Sequence, residues 1–226
     1  LAQWGVSDPK DLKWLDLPPE NAFDQARSLL IRLEGLDTHG RITIHGRKLL
    51  SAGVHPRMAH MVLKADQMGQ GRLACRLAAL LGERDILLGT ADPDIRLRLE
   101  VLAALGSGRV SSQSSARSSR GGETGNKNQP ALPASSGHNF NEPLARIVLK
   151  NAGKIEKDLN LHSTGTNMER TGSVLAFAWP GRVAKKRNNK DYSFLMASGS
   201  GAFFRSVNSL SVLDYIVAVH LDGNPR

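Results

Sequence analysis

The chain has 226 residues and carries 30 basic against 21 acidic side chains, which gives a formal net charge of +9 at pH 7. Its composition, 40% hydrophobic and 23% charged, is typical of a folded protein and excludes a wholly disordered chain. No run approaches the roughly 18 apolar residues that span a membrane, no signal peptide opens the sequence, and the one cysteine, Cys75, cannot form an internal disulfide. We therefore expect a cytoplasmic protein with no membrane partner. Because the sequence opens on Leu1, we also expect a fragment of a longer chain.

The positive charge is unevenly distributed, because eight of the nine excess charges follow residue 106. The densest basic run contains no acid and comprises Arg182, Lys185, Lys186, Arg187 and Lys190. Such a concentration is expected where a protein meets a polyanion. The alternative is a solvated helix end, since basic residues also favour helix C-termini.

Residues 1–50 show the pattern of a degenerate winged helix. Asn21 can cap a helix with a regular apolar face that ends at Gly35. Residues 36–43 suit two short strands around a turn, with Gly40 at a position that needs positive φ. Thr43 can then cap a second helix that runs to about Leu50.

Residues 51–170 are predicted to form a helical bundle. Helix starts are indicated at Pro56, at Asp92-Pro93 and at Pro143, and a leucine stripe over residues 73–81 marks a further helix. Residues 107–142 interrupt the bundle with nine serines and five glycines in 36 positions. Because this composition buries too little apolar surface to offset chain entropy, we predict a flexible insertion.

Residues 171–226 are predicted to contain the last helix and a small antiparallel sheet. Pro180 can start a new helical turn that runs into the basic run. Short apolar and aromatic runs then follow at residues 192–197, 201–204 and 213–221, separated by Gly, Ser and Asn. The predicted fold class is therefore α+β.

Catalytic motifs are missing from the sequence. Residues 121–128 resemble a phosphate-binding loop, but Asn126 stands where glycine is required and Asn128 where Ser or Thr would hold magnesium. The histidines form no His-Glu-x-x-His pattern, and Cys75 lies among leucines as a buried thiol would. We expect no catalysis, no metal site and no cofactor in this segment itself.

Distinctive short strings lie along the chain outside the Ser-rich segment. They are Leu1-Ala2-Gln3-Trp4-Gly5-Val6-Ser7-Asp8-Pro9, Trp14-Leu15-Asp16 with Pro18-Pro19, Gly35-Leu36-Asp37 with Gly40-Arg41, His45-Gly46-Arg47, His55-Pro56-Arg57-Met58-Ala59-His60-Met61, Glu83-Arg84-Asp85-Ile86-Leu87, Asp94-Ile95-Arg96-Leu97-Arg98-Leu99-Glu100, and Leu175-Ala176-Phe177-Ala178-Trp179-Pro180 with Arg182-Val183-Ala184. Together they resemble the region that follows the motor in bacterial ATP-dependent helicases of the HrpB type, in the DEAH/RHA group.

The resemblance implies a degenerate winged helix, a ratchet-like helical bundle and an oligonucleotide-binding-like β module behind two motor domains. It implies ATP-driven translocation on single-stranded RNA or DNA, with ATP and magnesium bound by motor domains of the same polypeptide. We expect the basic groups to hold phosphates and one aromatic side chain to stack on bases. The candidate contacts are Arg57, Arg182, Lys185, Lys186, Arg187 and Tyr192.

Two other functions remain open at this point. A stand-alone winged-helix protein that reads duplex DNA would need a basic recognition helix, but residues 22–34 offer only Arg27 and Arg32 against Asp24 and Glu34. A scaffold that docks only other proteins would bind RNA weakly and with little salt dependence. Arg57 itself could equally form a salt bridge at a helix start, and Phe194 is better suited to the strand core than to base stacking.

Overall fold

The computed structural model describes residues 1–90, 92–107, 139–187 and 192–223. In these ranges the helices are α1 (Glu20–Arg32), α2 (Ile44–Ser51), α3 (Pro56–Gln67), α4 (Gly71–Leu81), α5 (Ile95–Gly106), α6 (Glu142–Asp158) and α7 (Thr171–Ala178). The strands are β1 (Val183–Lys186), β2 (Ser193–Met196), β3 (Gly201–Phe203) and β4 (Tyr215–Val217). The predicted mixture of helices with a small antiparallel sheet is confirmed. No helix in the described residues is long and apolar enough to cross a membrane.

The N-terminal part follows the predicted order of helix, turn and helix. α1 begins at Glu20 after Pro19, without the predicted Asn21 cap. The turn brings Leu36 and Ile42 into one antiparallel bridge, and Gly40 has φ +82° as predicted. The predicted Thr43 cap is confirmed, because its hydroxyl accepts a hydrogen bond from the Gly46 amide at 2.8 Å. The winged-helix assignment itself remains a prediction.

The main core lies among α3–α7, with α4 at its centre. Leu73, Leu77 and Cys75 of α4 are fully buried, whereas Arg72 and Arg76 keep partly exposed positions. Burial raises the pKa of the Cys75 thiol to about 12, so this cysteine stays protonated and packs as an apolar group. α7 packs against α3, and its residues Val174 and Leu175 belong to this core.

The start of α5 differs from the prediction. The N-cap is Asp94 rather than Asp92, and the carboxylate of Asp94 accepts a hydrogen bond from the Arg96 amide at 2.9 Å. Asp94 has extended backbone angles, φ −69° and ψ 109°, so the helix cannot include it. Two acids flank Pro93 in the sequence, and the second one provides the cap because it also forms an ion pair with the Arg96 side chain.

The end of the predicted flexible insertion is ordered on the core. Residues 108–138, which hold most of that prediction and the loop at 121–128, lie outside the described residues. Phe140, however, bridges Leu87, and the Asn141 amide donates to the Ile86 carbonyl. Asn141 also caps α6 through its side chain. Extending the insertion to residue 142 was therefore wrong, because Phe140 and Asn141 supply the apolar contact and the cap that start α6.

The four strands form an antiparallel sheet in the order β3-β2-β1-β4. Ala184, Phe194 and Met196 face inward as its own small core, so the strand-core prediction for Phe194 is confirmed. The predicted helical turn at Pro180 stops after three residues, and the basic run continues into β1 instead. The helix-end alternative for this run is therefore wrong. β1 pairs on both sides, and these two hydrogen-bonded ladders outweigh the helical signal of Pro180.

Candidate nucleic-acid interface

A basic groove lies where the helices meet the sheet. It has a volume of about 600 Å³ and is lined by residues of α1, α3, α7 and the sheet, including Phe177 and Trp179. Arg32, Arg57 and Arg182 line it together, and we call this the arginine groove. The last residue of α1, the second of α3 and the residue before β1 thus converge from three separate parts of the chain.

Arg57 is held between α3 and α7. Pro56 starts α3, and Arg57 follows it. The Arg57 guanidinium donates from Nη1 to the carbonyl of Ala178, the last residue of α7, at 2.9 Å. The pKa of Arg57 is lowered, first by burial and then by the positive charges of Arg32 and Arg182. Arg57 therefore lies close enough to Arg32 and to Arg182 to be repelled by both positive charges. The salt bridge considered for Arg57 from sequence is not formed by any described residue.

Arg182 fixes the sheet side of the groove. Its Nη1 donates to the Val219 carbonyl at 2.5 Å, and its own carbonyl accepts the Ala218 amide. The guanidinium is thus tied to the segment after β4 by a single carbonyl. Within the described ranges no carboxylate pairs with Arg182 or with Arg32.

One acid, Glu34, also lines the groove, but its charge is already matched. Lys64 Nζ lies 2.8 Å and 2.9 Å from the two Glu34 carboxylate oxygens. This hydrogen bond lowers the pKa of Glu34 and keeps it ionised. The three arginines therefore leave an uncompensated positive charge, and guanidinium forks are well suited to phosphate oxygens.

The structure divides the six predicted contact residues into two groups. Arg57 and Arg182 line the arginine groove, whereas the other four lie on or beside β1 and β2: Lys185, Lys186, Arg187 and Tyr192. Lys185 and Arg187 are exposed, and Tyr192 is 37% exposed. Binding of nucleic acid by all six remains a prediction.

Sequence reasoning missed Arg32 and Tyr215. Arg32 ends α1, and nothing in the sequence indicates that α1 ends beside α3 and α7. Tyr215 is 60% exposed on β4, and Lys185 Nζ lies 6.0 Å from its ring centroid. The available signal was the alternation of β4, which places Tyr215 and Val217 on one face and Ile216 on the other.

A histidine pair beside the groove joins α2 to α3. His45 Nε2 lies 3.0 Å from His60 Nδ1, and the rings meet edge to face. Burial lowers the pKa of both imidazoles below the ordinary 6.5. The positive charge of Lys64 lowers both pKa values further, and Lys48 adds to this effect at His45. The negative charge of Glu34 acts in the opposite direction on both rings. The contact needs one nitrogen without a proton, so it is lost when both rings are charged.

This pair predicts a loss of stability in mild acid. Since the folded pKa values lie below 6.5, the unfolded chain takes up these protons first, and stability falls as pH drops from about 7.5 through 6.5 to about 5.5. Urea midpoints should therefore fall over this range by more in the unmodified chain than in His45→Gln/His60→Gln. Titration of His55 is common to both proteins and cancels. Parallel curves would contradict the prediction.

No protein-family model matches the chain. It is 25% identical over 218 residues to the ATP-dependent RNA helicase HrpB of Escherichia coli, a match that covers 96% of this chain and 21% of HrpB. The probable ATP-dependent RNA helicase DHR2 of Saccharomyces cerevisiae is 26% identical over 88 residues, which cover 39% of this chain and 12% of DHR2.

Solved structures agree with the sequence comparison. The crystal structure of the E. coli DExH-box NTPase HrpB superposes with a TM-score of 0.68 at 26% identity, over 99% of this chain and 22% of that one. A crystal structure of the E. coli DEAH/RHA helicase HrpB gives a TM-score of 0.66 at 24% identity and shows the same fold. The chain thus spans about a fifth of the length of these HrpB proteins. In sequence and in fold, it corresponds to the C-terminal region of an HrpB-type helicase.

Proposed function

We propose that this chain is the accessory region of an ATP-dependent RNA helicase and guides single-stranded nucleic acid past motor domains of the same polypeptide. The observation that carries the proposal is the arginine groove, in which Arg32, Arg57 and Arg182 converge and none of them pairs with a carboxylate of the described residues. The similar HrpB and DHR2 proteins are named ATP-dependent RNA helicases, which supports the same class of partner.

The division of labour follows from the residues that are present. The chain contributes cations and a groove, and ATP with magnesium is assigned to the motor domains. Residues 1–50 would act as the degenerate winged helix, the helices of 51–170 as the ratchet-like bundle, and the sheet within 171–226 as the oligonucleotide-binding-like module. A cytoplasmic site of action accompanies this proposal.

Phosphate contacts of this kind have a measurable signature. Each phosphate neutralised on a single strand adds about 0.7 to the slope of log affinity against log salt concentration, because a counterion is released. Three engaged arginines therefore predict a slope at least about 2 units steeper than that of a chain without them. Sequence-independent binding of this type has dissociation constants of about 10⁻⁴ to 10⁻⁶ M at physiological salt.

The proposal predicts salt-dependent binding of this chain to a fluorescent single-stranded RNA, measured by anisotropy between 50 and 200 mM salt, the range over which such slopes are known to be large. A duplex DNA of equal length provides the comparison. Weaker binding to the duplex is expected, because the exposed groove is formed by loops and helix ends rather than by a basic recognition helix. Undetectable RNA binding at 50 mM salt, or binding that does not respond to salt, would favour the protein-docking scaffold instead.

A further inference from the structure

One row of residues crosses an exposed face of the sheet. The strand register places Tyr215 opposite Lys185, Lys185 opposite Leu195, and Leu195 opposite Gly201. Side chains opposite one another on one face have Cβ atoms about 4.5–5.5 Å apart. Tyr215 is 60% and Leu195 is 43% exposed, so this row, which we call the sheet platform, faces solvent.

Two cations border the sheet platform. Lys185 Nζ lies 6.0 Å from the Tyr215 ring centroid. Arg187 reaches over the other end, where its Nη2 lies 3.9 Å from the position that a Cβ on Gly201 would take. Among the described residues neither cation forms an ion pair with a carboxylate. Asp214 precedes β4, where its backbone carbonyl accepts a hydrogen bond from the Lys186 amide.

The chemistry of the sheet platform favours one class of ligand. An exposed ring with unpaired cations beside it can stack on a base and hold the neighbouring phosphates. The buried centre of a protein–protein interface is instead depleted in lysine. Gly201 leaves this end of the sheet platform uncovered, because it has no side chain between Leu195 and the Arg187 guanidinium.

We infer that Tyr215 stacks on a base of single-stranded RNA while Lys185 and Arg187 hold the adjoining phosphates. The inference rests on the proposed function and adds a second contact site to the arginine groove. Arg182 directly precedes β1 and Lys185 lies within it three residues later, so at about 3.3 Å per residue roughly 10 Å of extended backbone separates the two residues.

The test compares Tyr215→Ala, Tyr215→Phe and the unmodified chain for anisotropy binding to a single-stranded RNA and to a ribose-phosphate oligomer without bases. Trp4→Ala removes another exposed ring, 79% exposed against 60% for Tyr215, near the other end of the chain and is the control. Tyr215→Ala is expected to weaken RNA binding about 5- to 150-fold, the range known for loss of one base–aromatic stack. Tyr215→Phe and Trp4→Ala are expected to bind like the unmodified chain, because the first keeps the ring and the second lies elsewhere.

Three readouts separate the possible outcomes. If Tyr215 stacks on a base, the salt slope of Tyr215→Ala equals that of the unmodified chain, because no phosphate contact is lost. On the oligomer without bases, Tyr215→Ala and the unmodified chain then bind with equal affinity, because there is no base to stack on. If Tyr215→Ala binds RNA as the unmodified chain does, the sheet platform is not a base-stacking site, while the arginine groove stands. If the unmodified chain shows no salt-dependent RNA binding, both proposals are overturned together. Circular dichroism on each variant confirms that the sheet is retained.

Discussion

Replacing Arg32, Arg57 and Arg182 together by glutamine is expected to lower the affinity for single-stranded RNA about 10- to 100-fold at low salt. The three guanidinium groups share one groove and have no paired carboxylate in the described structure, so all of their charge is available to phosphates. The salt slope should fall by about 2, as expected for the loss of three phosphate contacts on a single strand. Glutamine removes the charge but keeps a polar side chain.

A matched triple variant separates a local contact from an overall loss of charge. Arg41, Arg146 and Arg205 are exposed and pair with Asp37, Glu142 and Asp222 respectively. Their replacement by glutamine lowers the net charge by the same three units but leaves the arginine groove intact. We expect this control to bind RNA within about twofold of the unmodified chain, because exposed ion pairs contribute little beyond net charge. Equal losses in the two triple variants would show that the groove has no special role.

The sequence predicted the elements better than the places where they meet. Thr43 and Pro56 mark helix starts through local chemistry, which a single sequence displays. The cap of α5 was placed at Asp92 instead of Asp94 because both acids fit the local pattern, and only the ion pair with Arg96 separates them. The helical turn predicted at Pro180 gives way to β1, whose pairing partners lie about 10 residues further along the chain in β2 and about 30 residues further along in β4.

The candidate site was predicted in part for the same reason. The basic run indicates Arg182, and Arg57 lies in one of the short strings that resemble HrpB-type helicases. Both residues can therefore be predicted without knowledge of the fold. Arg32 joins them only because the end of α1 lines the same groove as the last turn of α7, a long-range arrangement that no local pattern reports. Alternation along β4 separates Tyr215 from Ile216 but does not say which of the two faces is exposed, and the register with Lys185 supplies that information.

Gly46→Ala is expected to destabilise the chain by about 2 kcal/mol, the balance between overpacking and a gain in helix propensity. A Cβ at this buried position of α2 would clash with the Gly35 carbonyl oxygen. That oxygen cannot simply move away, because it accepts a hydrogen bond from the Thr43 amide at 3.1 Å, and the Thr43 hydroxyl holds the preceding Glu34 carbonyl at 2.6 Å. Urea unfolding measures the difference in free energy of unfolding.

Gly153→Ala is the matched control and should have the opposite sign. Gly153 lies within α6, and a Cβ there meets nothing within 4 Å, so alanine is expected to stabilise the chain by about 0.5–1 kcal/mol. In Gly46→Ala, we expect displacement of the Gly35 backbone to move Arg32, which lies three residues earlier at the end of α1. RNA binding should therefore weaken in Gly46→Ala but not in Gly153→Ala. If both glycine variants change stability in the same direction, the contact between Gly46 and the Gly35 carbonyl does not set the position of α2. If Gly46→Ala is destabilised but binds RNA normally, Arg32 does not depend on that contact for its place in the arginine groove.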